Sequence, residues 1–164
     1  MYVRLAFAIF LSCGICYATP VAIDSQKAVH ITADHASFDH KNGLAVYEGH
    51  VEVDQGSRHL SANKVTIERD QQNRIKVMVA TGNPATFKAQ QNPNKNPGSG
   101  SAKIIKYYPQ LDRVDLIDQA KLMQDGDTIS GPKLSYNFVT EVLQGKSSQR
   151  ERTTIILKPR EKLK

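Results

Sequence analysis

The sequence predicts an all-β body of stacked strands: a sandwich, a jelly roll or a barrel-like stack. Three observations carry that prediction. First, one short pattern occurs four times, beginning at Thr32, Ser61, Ser101 and Ser130, with starts separated by 29, 40 and 29 residues. Each copy has a hydroxyl residue, a small one (Ala33, Ala62, Ala102, Gly131) and two variable positions. An apolar residue follows (Ala36, Val65, Ile105, Leu134), then a mostly polar one, then Phe38, Ile67, Tyr107 or Tyr136. A repeated layout of this kind marks supersecondary units that bury a core only together. Second, bulky and polar positions alternate over most of residues 29 to 145, which is the period of half-buried strands. Third, no stretch of helix length sustains a 3.6-residue period.

The first 18 residues stand apart from that body. Arg4 precedes a 12-residue apolar run, Leu5 to Cys16, and then Tyr17-Ala18-Thr19-Pro20. A charged start, a short apolar stretch and a small residue describe a secretory signal cut after Ala18. The run is too short to span a bilayer, which needs about 20 residues. Both cysteines, Cys13 and Cys16, fall in the segment to be removed, so the exported chain relies on strand pairing and core packing. The remaining 146 residues suit one domain, over 19–159, followed by a basic tail at 160–164.

Along the body, Asp39-His40-Lys41-Asn42-Gly43 makes the first reversal, with Asn-Gly supplying positive φ. Ala45, Tyr47, Gly49, Val51 and Val53 then share one parity, and Asp54-Gln55-Gly56-Ser57 turns the chain towards Leu60. After Ile67, a polar turn over residues 69 to 73 leads to Ile75, Val77 and Val79. Gly82-Asn83-Pro84 interrupts, and Ala85 and Phe87 resume. The extra length between the two halves, from Gln90 to Gly100, reads as an exposed loop. At an offset of 69 residues, Val114, Leu116, Asp118, Ala120 and Leu122 repeat Ala45 to Val53. Asp125-Gly126-Asp127 turns into Ile129, and Thr153 to Leu157 reads as a last strand.

Parity sends Ala36, Phe38, Val65, Ile67, Ile105, Tyr107, Leu134 and Tyr136 to one interior, with Tyr47, Val51, Val53, Phe87, Leu116 and Leu122. That interior is either a dry core or an apolar groove opening along one side. Two end strands of an open stack carry unpaired backbone groups that invite strand addition. Here they are Val29-His30-Ile31 and the segment containing Thr154, Ile155 and Ile156.

Charge is concentrated at the C-terminus. Residues 19 to 145 carry 14 basic and 14 acidic residues, whereas residues 146 to 164 carry seven basic against two acidic. A nucleic-acid binder would spread its basic charge over a face with interleaved aromatics, and this tail has no aromatic residue. The tail is either a solvated terminus or a contact for an anionic group. The five histidines show neither alternate-residue strand spacing nor an i, i+4 placement, so no metal site is expected. No Gly-x-Ser-x-Gly elbow and no phosphate-binding glycine loop occurs, and the carboxylates sit mostly in turns, so neither catalysis nor a cofactor is expected. Two classes compete: a carbohydrate-active enzyme on a jelly roll, which would need carboxylates or histidines gathered in a cleft, and a domain of a larger assembly factor of the same fold, which would need an uncleaved anchor or a following barrel.

The repeated units, Tyr47-Glu48-Gly49-His50-Val51-Glu52-Val53, Gly82-Asn83-Pro84-Ala85-Thr86-Phe87 and Arg152-Thr153-Thr154-Ile155-Ile156-Leu157, in this order and spacing, resemble the LptA family. These are periplasmic bridge proteins of lipopolysaccharide transport with an OstA-like domain. The likeness runs from Val29 to Pro159; the second half departs from the family's Thr-Gly-Asn turn with Ile117-Asp118-Gln119. The resemblance implies an open β-jelly roll of stacked antiparallel strands, lipopolysaccharide acyl chains inside, and a periplasmic location. It also implies partners: lipopolysaccharide, inner- and outer-membrane transport components of related fold, and other copies of the chain joined head to tail by strand pairing. Val29, Phe87 and Tyr107 fall where family members line the lipid groove. With the parity set, the expected groove is Val29, Phe38, Val65, Ile67, Phe87, Ile105, Tyr107, Leu116, Leu134 and Tyr136.

Overall fold

The computed structural model describes residues 24–90, 98–149 and 151–159. The expected signal at 1–18, with both cysteines, and the tail at 160–164 lie outside them. The described residues form one sheet of ten strands: β1 His30–Thr32, β2 His35–Asp39, β3 Leu44–Gln55, β4 Arg58–Arg69, β5 Ile75–Ala89, β6 Gly98–Tyr108, β7 Arg113–Gln124, β8 Asp127–Asn137, β9 Leu143–Lys146 and β10 Thr154–Ile156. All pairings are antiparallel, in the order β1-β3-β4-β5-β6-β7-β8-β10, with β2 also on β3 and β9 also on β8. Consecutive long strands pair with one another, as the hairpin turns of the sequence require.

The register slips at one level in every long strand. Shifts lie between Glu48 and Val51, Ser61 and Lys64, Thr81 and Ala85, Ser101 and Ile104, and Ile117 and Ala120. This row of bulges explains the repeated pattern. Its small and apolar residues lie three apart, which a regular strand would send to opposite faces. Yet Ala62 and Val65, Ala102 and Ile105, and Gly131 and Leu134 are all buried. The two variable positions between them absorb the slip. In β3 the slip uses Gly49 and His50 at φ 80° and 43°, and Asp118 and Gln119 in β7 take the same left-handed conformation at 66° and 54°. A Cβ on Gly49 would overlap the Asp34 side chain, whose backbone N–H donates to the Gly49 carbonyl at 3.0 Å. The departure at Ile117-Asp118-Gln119 therefore preserves the bulge, and it lies inside β7, not in a turn.

The bulges form a crease, and the sheet folds over along it. Arg58 is level with Ala89 and Gly98, whereas Tyr107 lies nine residues farther along β6. In a flat sheet they would be roughly 30 Å apart. Instead Arg58 donates a hydrogen bond to the Tyr107 hydroxyl. The two halves of each long strand therefore face one another, with Ala62, Ala85, Ala102 and Ala120 buried at the narrow apex.

Side chains directly opposite on neighbouring strands share a face, so the register lines them up in rows across the sheet. One row is Ala36, Tyr47, Val65, Ala80, Ile105, Leu116, Leu134 and Gly145. The next runs Phe38, Ala45, Ile67, Met78, Tyr107, Val114, Tyr136 and Leu143. The facing half carries Ile31, Val53, Leu60, Phe87, Gly100, Leu122, Ile129 and Ile155. The apolar lining thus runs the length of the molecule, perpendicular to the strands. Outside, exposed pairs such as Lys64–Glu48 at 2.8 Å and Lys76–Glu68 at 2.7 Å bridge neighbouring strands and add little stability.

Two expectations need correction. Ala36 and Phe38 share the inward parity of their partners Tyr47 and Ala45, but both are exposed, Phe38 by 58%. They sit at the end of the sheet, where the facing half is only the three-residue β1 and does not cover them. Phe38 packs edge-on against Tyr47 at 5.7 Å instead. Gly98, Ser99 and Gly100 belong to β6 and not to a loop, because they pair with Ala89, Lys88 and Phe87. The interruption expected at Gly82-Asn83-Pro84 is present as β5's share of the crease: the register shifts between Thr81 and Ala85, the Asn83–Pro84 bond is cis, and the strand resumes at Ala85.

The apex is packed too closely for a larger side chain. Ala102→Leu is expected to cost about 1–3 kcal/mol through overpacking. Its exposed neighbour should tolerate the same change, with Lys103→Leu staying within about 0.5 kcal/mol. Thermal denaturation of the two variants checks this; equal midpoints would mean the crease has room to spare.

Candidate functional site

Between the two halves lies a cavity of about 50 Å³ lined by Val29, Val53, Leu60, Val65, Met78, Ala80, Phe87, Ile105, Tyr107, Val114 and Phe138. Its lining comes from both sides of the crease, and its polar contributors are Gln55, Arg58, His59 and Lys88. The space is small, and most of its lining is apolar. A second, smaller cavity touches Phe87, Tyr136 and Phe138. Phe87 reaches inward over Gly100, its cross-strand partner, where a Cβ would overlap the ring.

One cluster closes the open side. The Arg58 guanidinium donates to Asp112 Oδ1 at 2.8 Å and to the Tyr107 hydroxyl, and it stacks on Phe138 at 4.4 Å. Phe138 in turn meets Phe87, Tyr107 and Tyr136 edge-on at 6.5, 6.4 and 5.3 Å. The Arg58 and Asp112 side chains are only 15% and 13% exposed, so the pair is mostly shielded from water. Arg58 belongs to one half of the folded sheet, and Tyr107 and Asp112 to the rim of the other. The cluster is therefore a seam. Burial pushes the Tyr107 phenol up to about 12, against the pull of the Arg58 charge.

Of the sequence-derived groove residues, Val29, Val65, Phe87, Ile105 and Tyr107 line the main cavity, and Tyr136 the smaller one. Ile67, Leu116 and Leu134 are buried in the surrounding wall, and Phe38 is outside. Val29 is held inward by the segment before it, where the Lys27 carbonyl accepts from Gln55 Nε2 at 3.0 Å. At the ends, Ile31 is half-buried, whereas Thr154, Ile155 and Ile156 are exposed on β10. Val139, Val142 and Leu157 are also exposed at this end. Two of the histidines lie against carboxylates: His50 by Asp34 at 2.7 Å, and His59 by Glu52 and Asp54 at 3.0 and 2.7 Å. Among the described residues, no three metal-ligating side chains converge.

Arg58, Phe138, Met78 and Asp112 were not singled out from sequence, and Val114 stood out only as a member of the second-half repeat. Two of them carried a signal. Arg58 shares the parity of Leu60 and Ala62, and Phe138 continues the alternation of Leu134 and Tyr136 by one more step. Asp112 carried none, because it enters the seam from a turn.

Residues 30–142 match the family model described as "LptA/(LptD N-terminal domain) LPS transport protein". The chain belongs to this family. It is 32% identical over 165 residues to the lipopolysaccharide export system protein LptH of Pseudomonas aeruginosa, covering 96% of this chain and 94% of that one. It is 32% identical over 143 residues to the export system protein LptA of Escherichia coli K12, covering 87% and 77%. The crystal structure of P. aeruginosa LptH, described as the LptA-homologous periplasmic component of the lipopolysaccharide transport device, superimposes with a TM-score of 0.78 at 33% identity. That match covers 83% of this chain and 99% of LptH. The open, all-β architecture is that of the LPS transport family.

Because the folded state holds the Tyr107 phenol at about 12, above its ordinary value near 10, the neutral hydroxyl stabilises the fold. That contribution is complete below about 10 and is lost as pH rises towards 12. A spectrophotometric titration should show a late-ionising tyrosine that Tyr107→Phe removes. Identical curves would mean the phenol is not buried in solution.

Proposed function

We propose that this protein carries lipopolysaccharide through the periplasm, with acyl chains held between the two halves of the folded sheet. One observation carries the reading: apolar rows run unbroken from the β1–β2 end to the β9–β10 end of the molecule. The LPS export names of its relatives support the same ligand. Val29, Val65, Ile67, Phe87, Ile105, Tyr107, Leu116, Leu134 and Tyr136 form the proposed groove. No bond is made or broken in such a carrier, so it needs neither a catalytic group nor a cofactor. The apolar lining of the main cavity favours this role over a carbohydrate-active enzyme.

A cavity of about 50 Å³ is too small for an acyl chain, so binding requires the halves to part at the seam. The magnitudes permit it. A chain of about a dozen carbons gains roughly 10 kcal/mol on leaving water. Releasing the two Arg58 hydrogen bonds costs about 1.5–3 kcal/mol each. The seam thus opens for a lipid and closes without one.

We also propose that copies of the chain, and transport components of related fold at the inner and outer membranes, join end to end. The β1–β2 and β9–β10 ends bear exposed strand edges and exposed apolar side chains, Phe38 at one and Ile155, Ile156 and Leu157 at the other. Strand addition would extend the interior rows from one copy into the next.

A carboxylate in the groove meets apolar neighbours, so Phe87→Asp and Tyr107→Asp should each weaken lipopolysaccharide binding about tenfold or more while circular dichroism stays β-type. Unchanged affinity in both variants would remove the groove assignment. Photo-crosslinking from position 107 in cells should capture lipopolysaccharide. Deleting residues 153–164 should reduce concentration-dependent assembly in light scattering, and identical assembly would exclude that edge as a joint.

A further inference from the structure

We propose that the outer face of β7–β9 is a binding site for phosphate groups, which rests on the reading above in taking those of the amphiphile held inside. A concavity of about 200 Å³ there is lined by Arg113, Asp115, Lys133, Ser135, Gln144 and Lys146. Every lining side chain is polar, and three cations surround a single carboxylate.

The register builds this cluster. Asp115, Ser135 and Gln144 form one outward row, and Lys133 and Lys146 stand directly opposite each other in the next. Asp115 is buried, accepting from Ser135 Oγ at 2.7 Å, with Arg113 Nε at 3.2 Å and Lys133 Nζ at 3.7 Å. One carboxylate balances one of the three positive charges. The opposed lysines repel each other, because like charges at paired positions on one sheet face are destabilising. An anion between them turns that repulsion into attraction.

Arg113 is prepared for such a ligand. Its guanidinium lies over the Tyr108 ring at 4.5 Å, and its Nε faces Asp115. That fixes the plane of the group, while among the described residues no acceptor meets its Nη donors. A planar fork held in this way suits the paired oxygens of a phosphate.

The position relates the site to the interior. Arg113 lies between Asp112, which holds Arg58 at the seam, and Val114, which lines the cavity. Successive residues of a strand face opposite sides. A chain entering beside Val114 therefore leaves its head group at the rim, next to Arg113. An amphiphile with phosphates on its head can satisfy both faces of β7 at once.

The test compares wild type with a Lys133→Gln/Lys146→Gln variant of the full chain, which leaves the cavity lining intact. Calorimetric titrations use diphosphoryl lipid A in detergent micelles, its dephosphorylated form, and inorganic phosphate. Each charge-assisted bond is worth about tenfold or more in affinity. The variant should therefore lose about tenfold or more for diphosphoryl lipid A and nothing for the dephosphorylated form. Equal affinity of variant and wild type for diphosphoryl lipid A overturns the site. Equal losses for both lipid forms also overturn it. Wild type that binds inorganic phosphate but discriminates between neither lipid form removes the lipid as the source of the anion, and the proposal with it. Failure of both lipid forms to bind wild type refutes the interior reading instead, which separates the two failures.

Discussion

The structure depends on the crease. A ten-stranded antiparallel sheet with one apolar face has to cover that face, and this one does so by folding onto itself. Folding requires every long strand to bend at one level, and the register shifts provide that bend in β3 through β8. It also requires small side chains where the halves converge, hence the alanines at 62, 85, 102 and 120. The rest follows from this geometry. The largest fully buried side chains, Ile105, Leu116, Leu134, Val51 and Val65, flank the apex, and the aromatic cluster around Phe138 spans the wider, open side.

An apolar lining is ordinary in a β protein; an apolar lining that ends on nothing is less so. The rows reach Phe38 at one end and Ile155 at the other, and both side chains face solvent. Among the described residues, nothing covers the ends of these rows at Phe38 and Ile155. The open long side is held by a charged and aromatic seam and not by backbone pairing. Such a contact separates without dismantling the sheet, because no strand leaves its neighbours when Arg58 leaves Asp112. The strand ladder and the seam are therefore separate sets of contacts.

Much of this was legible in the chain. Alternation located the strands and most of the interior, because each inward position on a strand repeats every second residue. The fourfold repeat announced duplicated units, but its inner spacing held more than its periodicity revealed. Two buried positions three apart, such as Ala102 and Ile105, encode a bulge, and five bulges at one level encode the fold-over. No single strand contains that information. Parity pointed inward at Arg58, and only its charge argued otherwise; the cost of burying it is met by Asp112, a residue far away in sequence. Phe38 shows the opposite limit. Its parity was read as burial, yet parity says which way a side chain points and not whether anything lies across from it.

The end strands carry one more consequence. β1 and β2 are a single edge broken at Asp34, and β9 and β10 divide the opposite edge in the same way. A segment laid along either terminus meets two short ledges at an angle, and only a segment with its own elbow at the matching height fits both. Sliding by even one pleat would set elbow against straight backbone. The bend that shapes the monomer would thus also act as a key for any strand added there, favouring one that bends at the same height.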